Sequence, residues 1–118
     1  DVWADGVALW ENAVRVQEGR PWFLRGGVTT SALAEYGMQL SWAARHQEAA
    51  RVLRRQVQVA LAHSESGLHV DMGGFVPLIV SEMLLGRLEE AARLMHECVK
   101  ITQVATEDAE TGGEVAQQ

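Results

Sequence analysis

Three stretches of this chain superpose on one another without gaps. They are DGVALWENAVRV (residues 5–16), EAARVLRRQVQV (48–59) and EAARLMHECVKI (90–101), offset by 43 and then 42 residues. Gly6, Ala49 and Ala91 occupy one small site; Trp10, Leu53 and Met95 occupy one large site. Val14, Val57 and Val99 coincide, as do Val16, Val59 and Ile101. The preceding segments match too, since Leu33 and Tyr36 fall 42 residues ahead of Phe75 and Leu78. Single amphipathic helices often look alike, but two helices and their turn seldom agree at one fixed period. Such a period marks a repeat architecture. Each unit is a helical hairpin that cannot bury its apolar face alone, so successive units must stack.

Taken in order, residues 1–18 place Trp3, Val7, Trp10 and Val14 on one stripe, with Ala13 and Val16 beside them, which predicts a helix. Gly19-Arg20-Pro21 ends it. Residues 21–30 (PWFLRGGVTT) read as a loop bent at Gly26-Gly27. Its Trp22, Phe23 and Leu24 either cover a neighbouring helix end or form a ligand-contacting lip. A second helix is expected over about 31–43, with Leu33, Tyr36, Leu40 and Ala43 inward and a hydroxyl of Thr29, Thr30 or Ser31 as its cap. Gly37 inside it costs about 1 kcal/mol relative to alanine, which points to a close helix approach. A turn near Arg45-His46 leads to a third helix over about 47–63, with Ala49, Val52, Leu53, Val57 and Ala60 inward. Residues 64–74 form a connecting loop. The fourth helix covers about 75–85, with Pro77 tolerated in its first turn. Gly86 makes the next turn, and a fifth helix runs from 87 to about 106. The domain therefore spans 1–106: the second helix of one unit (1–18), a unit at 30–63 and a unit at 74–106. The acidic, glycine-broken segment 107–118 is expected to be a flexible tail.

Composition agrees with an all-α protein. Good helix formers dominate, only two prolines occur, and no alternating run of β-branched residues argues for a sheet. The 47% hydrophobic and 22% charged residues are those of a globular chain. A net charge of −6 disfavours nonspecific attraction to nucleic acid or to an anionic membrane. No apolar run is long enough to span a bilayer, and the start is not signal-like. The single cysteine, Cys98, allows no internal disulfide and fits a reducing, cytoplasmic setting. Nine arginines to one lysine suggest a high-GC bacterial genome, an inference from codon usage.

Chemistry-bearing residues do not assemble into a recognisable site. His63, Glu65, His69 and Asp71 crowd one loop, but their spacing matches no strong ligand motif. His96 and Cys98 lie two apart on a helix and so face different ways, which argues against a thiol–imidazole pair. Arg51, Arg54 and Arg55, with Arg45 nearby, form a basic patch that is either a solvated helix face or a contact for RNA or an acidic partner. Glu35, Glu82 and Glu97 are dispersed and give no paired-carboxylate geometry. Gly26-Gly27 and Gly73-Gly74 lack a phosphate-loop context. No catalytic, cofactor or metal site is expected.

The residues of the repeat resemble the tetratricopeptide repeat family. The likeness rests on the GRLEEA turn (residues 86–91), preceded by Phe75 and Leu78 and followed by Met95 and Cys98. In the middle unit it rests on Leu33, Tyr36, Gly37, Leu40, Glu48, Ala49 and Leu53. It covers about residues 3–103. The period is about 42 rather than the usual 34, similar to the long-helix variety in kinesin light chains and many bacterial regulators. Ile79 stands where Gly37 supplies a small residue, Glu82 stands where Leu40 stands, and no proline closes either second helix.

The resemblance implies antiparallel hairpins stacked in a right-handed superhelix of about five helices, with the first helix of each hairpin lining a concave groove. The groove residues would be Ala34, Met38 and Trp42 in the middle unit and Val76, Val80 and Met83 in the last, flanked by Ser31, Ser41, Gly73 and Leu84. Their apolar character suits an amphipathic helix or apolar peptide rather than a terminal carboxylate. The expected role is a non-enzymatic protein- or peptide-binding module, a scaffolding or regulatory segment of a larger bacterial protein. Alternatives are a sensory domain for a small apolar ligand or signal peptide, and a helical appendage of an enzyme. The exposed end hairpins also allow a homo-oligomer.

Overall fold

The computed structural model describes residues 2–19, 26–63 and 70–117; the side chains of 26–29, 63, 105 and 108–117 are not among them. Five α-helices occur among the described residues: α1 (Val2–Glu18), α2 (Gly26–Trp42), α3 (His46–His63), α4 (Phe75–Leu84) and α5 (Leu88–Gln117). A 3-10 turn, Met72–Gly74, leads into α4. Each helix packs on the next in the chain, giving an all-α stack. Three boundaries differ from those expected. Gly26 and Gly27 open α2 instead of bending a loop. The loop before α4 contains the 3-10 turn, started by Asp71, whose carboxylate accepts the Gly73 amide at 2.9 Å. The tail does not break at residue 106, because α5 continues to Gln117 through Gly112-Gly113. Along it the hydroxyls of Thr102 and Thr106 donate to carbonyls four residues back, at 2.9 Å each. The segment 20–25, with Trp22, Phe23 and Leu24, lies outside the described residues.

The 42-residue repeat is visible in the backbone hydrogen bonds of the two hairpin turns. After α4, the Gly86 amide donates to the Met83 carbonyl at 3.0 Å and Arg87 to Glu82 at 2.9 Å. After α2, Ala44 donates to Ser41 at 3.0 Å and Arg45 to Leu40 at 2.9 Å. Both are Schellman caps, in which one left-handed residue lets the chain return its amides to the last carbonyls of the helix. Gly86 supplies that conformation with φ 79°, and Ala44 adopts it with φ 63°. Its Cβ crowds the following carbonyl there, at a cost of roughly 1–2 kcal/mol. Replacing Ala44 by glycine should therefore raise stability by about 0.5–1 kcal/mol, the gain being reduced by the freer unfolded chain. Gly86→Ala should lower stability by about 1 kcal/mol in the same urea titration. Equal midpoints for both variants and the parent would contradict this account.

Two apolar clusters hold the stack together. The larger joins Val7, Leu40, Leu53 and Val57 to Phe75, Leu78, Ile79, Ala91 and Leu94. The smaller joins Val14 of α1 to Ala32 and Leu33 of α2, with Trp10, Tyr36, Val52 and Val59 against it. Gly37 marks a close crossing of α2 and α3, because a Cβ there would overlap the Leu53 side chain. In the last unit Ile79, at the position of Gly37, is buried in the larger cluster, and Met95, the counterpart of Leu53, is exposed.

Candidate functional site

The apolar stripe of the first helices is real on α4. Val76 and Val80 lie one turn apart, with Met83 and Leu84 on the next turn, and all four are exposed. On α2 the counterparts behave differently. Ala34 is only 7% exposed, because Gly73 of the 3-10 turn lies against it, so it drops out of any accessible face. Met38 is half-buried. Trp42 is exposed, yet its ring stands 5.8 Å from that of Trp3 of α1 at an interplanar angle of 59°. That tilted pair pins the last turn of α2 against the first turn of α1. Met38 and Trp42 are the counterparts of Val80 and Leu84 at the 42-residue offset, and α2 and α4 also touch. Of the expected groove residues and their flanks, the exposed large apolar side chains are thus Trp42, Val76, Val80, Met83 and Leu84.

Behind α4 sits a polar feature of another kind. The Glu82 side chain is fully buried, and its Oε1 accepts from Arg54 Nη2 of α3 at 3.0 Å. Arg87 Nη1, just past the turn, lies 3.4 Å from both carboxylate oxygens. Arg54 Nη1 also donates to Glu90 of α5 at 2.8 Å. Arg93 closes on the same Glu90 at 2.7 and 2.9 Å and reaches Glu97 at 3.1 Å. One guanidinium therefore ties three helices together through two carboxylates. Burial of a carboxylate is tolerated only where such partners replace its water.

The remaining arginines of the expected basic patch are largely neutralised as well. Arg45 pairs with Glu48 at 2.6 Å, and Arg55 reaches across to Glu18 of α1. Arg51 alone of the four makes no ion pair among the described residues; it lines a depression of about 340 Å³ together with Gln47, Arg54, Gln58, Glu82 and Arg87. Of the loop residues weighed as metal ligands, Glu65 and His69 lie outside the described residues, as does the His63 side chain, while Asp71 is occupied by the 3-10 turn. Cys98 is half-buried against the core cluster and His96 is exposed, so the two do not pair. No described helix is long and apolar enough to cross a membrane.

The ion pairs displace a titration. Hydrogen bonds from Arg93 and then Arg54 hold the Glu90 carboxyl at about 2, below its ordinary 4.5. A depressed folded-state value means that the stabilisation is complete above pH 4.5 and is lost as the pH falls toward 2. Urea midpoints measured across that window should fall, and Glu90→Gln should remove part of the slope. An unchanged slope in the variant would show that other carboxylates carry the acid sensitivity.

Sequence periodicity anticipated the α4 stripe but missed the Trp3–Trp42 contact and the charge cluster. The position of Glu82, where the middle unit has Leu40, was the available signal for the latter. Comparison of this chain with protein-family models, curated proteins and solved structures gives no match.

Proposed function

We propose that this protein is a non-enzymatic helical-repeat module that binds a protein or peptide segment. In this reading it is a tetratricopeptide-like scaffolding or regulatory part of a larger bacterial protein, working in the cytoplasm. The observation that carries the reading is the accessible stripe of Val76, Val80, Met83 and Leu84 on a ten-residue helix whose opposite side is core. Val76 is 62% and Leu84 61% exposed. A run of large apolar side chains with that exposure marks a contact surface rather than scattered surface residues. Its shape and chemistry suit the apolar side of an amphipathic helix, with Met83 adapting to the shape of its partner.

The test uses a phage-displayed library of amphipathic helical peptides selected against the protein. Clones so obtained should lose at least tenfold in affinity for Val80→Lys/Met83→Lys, because two desolvated ammonium groups replace apolar contact. Both positions are exposed, so helical circular dichroism should be unchanged. Equal capture by the folded double variant would sink the assignment. Trp42→Ala is a poorer probe, because it also removes the Trp3 contact.

A further inference from the structure

The depression of about 340 Å³ where α3 meets the end of α4 is positive, on a chain whose net charge is −6. Arg51, Arg54, Arg55 and Arg87 line it, against the single carboxylate of Glu82. Two further carboxylates reach these arginines from outside the lining: Glu18 meets Arg55, and Glu90 meets Arg54 while also serving Arg93. Counting both, four arginines still face three carboxylates. Glu48 stands one turn before Arg51, but Arg45 occupies both of its oxygens, at 2.8 and 2.6 Å.

The hydrogen-bonding capacity left over is mostly of one kind. Arg51 makes no ion pair or side-chain hydrogen bond among the described residues, so its guanidinium N–H groups are unspent. Gln58 has no partner there either. Gln47 accepts from Arg87 at 2.7 Å, which leaves its amide N–H groups free. The one charged acceptor, Glu82, is fully buried and held by Arg54 and Arg87. A concave surface with spare donors and excess positive charge complements an acceptor-rich anion.

We infer that this depression binds a small oxyanion, a phosphate or carboxylate group, with Arg51 as its chief ligand. Gln47, Gln58 and Arg87 flank it as further donors. The planar guanidinium offers paired N–H groups that match the oxygens of either anion. The volume lies at the lower end for small-molecule sites, about 300 Å³, and suits one such group with a few atoms of its carrier. The site shares no residue with the α4 stripe, so the two readings stand or fall separately.

Inorganic phosphate and tricarballylate, each titrated into the protein in chloride buffer at constant ionic strength, are the probes. Saturable one-to-one binding of at least one is expected, weakened at least tenfold by Arg51→Gln. The urea midpoint of that variant should be unchanged, because Arg51 holds no other group; Arg54 and Arg87 would be poorer probes, since they also hold Glu82. Gln58→Glu, which adds a carboxylate to the lining, should weaken binding several-fold. Arg15→Gln removes the same charge from α1 and should leave affinity unchanged. Tighter phosphate binding assigns the phosphoryl source, and tighter tricarballylate binding the carboxylate source; either supports the site. Absent saturable binding of both anions overturns the inference. Equal losses in Arg51→Gln and Arg15→Gln also overturn it, since overall charge would then be the cause.

Discussion

Arg54→Met should destabilise the protein by about 3 kcal/mol, which corresponds to a loss of roughly 10 °C in Tm. The substitution keeps an unbranched apolar stem and removes the guanidinium, with its charge and its hydrogen bonds to Glu82 and Glu90. Glu82 is then left 0% exposed, with Arg87 as its one remaining cation at 3.4 Å. A buried carboxylate stripped of its best partner cannot regain water, and breaking such pairs typically costs about 3–5 kcal/mol. The value here falls at the lower end because Arg87 persists. The converse change differs in sign. Glu82→Leu leaves Arg54 with Glu90 and with access to solvent, and it places in α4 the residue that Leu40 already supplies to the same site in α2. Its stability should equal or exceed that of the parent, and Arg54→Met/Glu82→Leu should recover to within about 1 kcal/mol. Urea unfolding of the four proteins closes the cycle. A parent-like Arg54→Met would mean that Glu82 does not depend on this arginine.

The second large effect belongs to Phe75. Its ring is fully buried at the start of α4, in the cluster that joins α3 to both helices of the last unit. Phe75→Ala removes that ring and leaves a cavity, at about 3–5 kcal/mol. Total stability for a chain of this size is on the order of 5–15 kcal/mol, so the loss is a large fraction of it. Because repeat units interact only with neighbours, damage at one junction is felt first on one side of it. Hydrogen exchange should accelerate in α4 and in the first half of α5 well before it does in α2 and α3. Uniform acceleration across all five helices would show a single cooperative unit instead. Phe75→Leu, which keeps most of the volume, should cost under about 1.5 kcal/mol.

The helices, their order and the 42-residue period were legible because each depends on local spacing and on the similarity of one unit to the next. Ala44 was not legible as a left-handed cap, since that conformation is announced by glycine and here the turn imposes it on another residue. Ala34 shares the spacing of Met38 and Trp42, so only the packing of the 3-10 turn shows that it is covered. Arg54 looked like a member of a solvated basic face. Its partners lie 28 and 36 residues away, and helical periodicity carries no record of which charges meet across a stack. The extent of α5 was misjudged for a simpler reason. Gly112-Gly113 is a breaker by local propensity, worth about 1 kcal/mol per residue, and the helix nevertheless runs through it.

The buried Glu82 also determines something that the apolar contacts leave open. Smooth rows of leucine, valine and alanine can slip past one another by a turn and still bury similar area. A slip of α4 along α3 by one turn displaces it by about 5.4 Å. Glu82 would then part from Arg54, and Arg87 from Gln47, so that two polar contacts between the hairpin and α3 break together. The carboxylate thus works as a detent, giving the observed alignment of the hairpin against its neighbour a minimum that apolar packing alone does not supply.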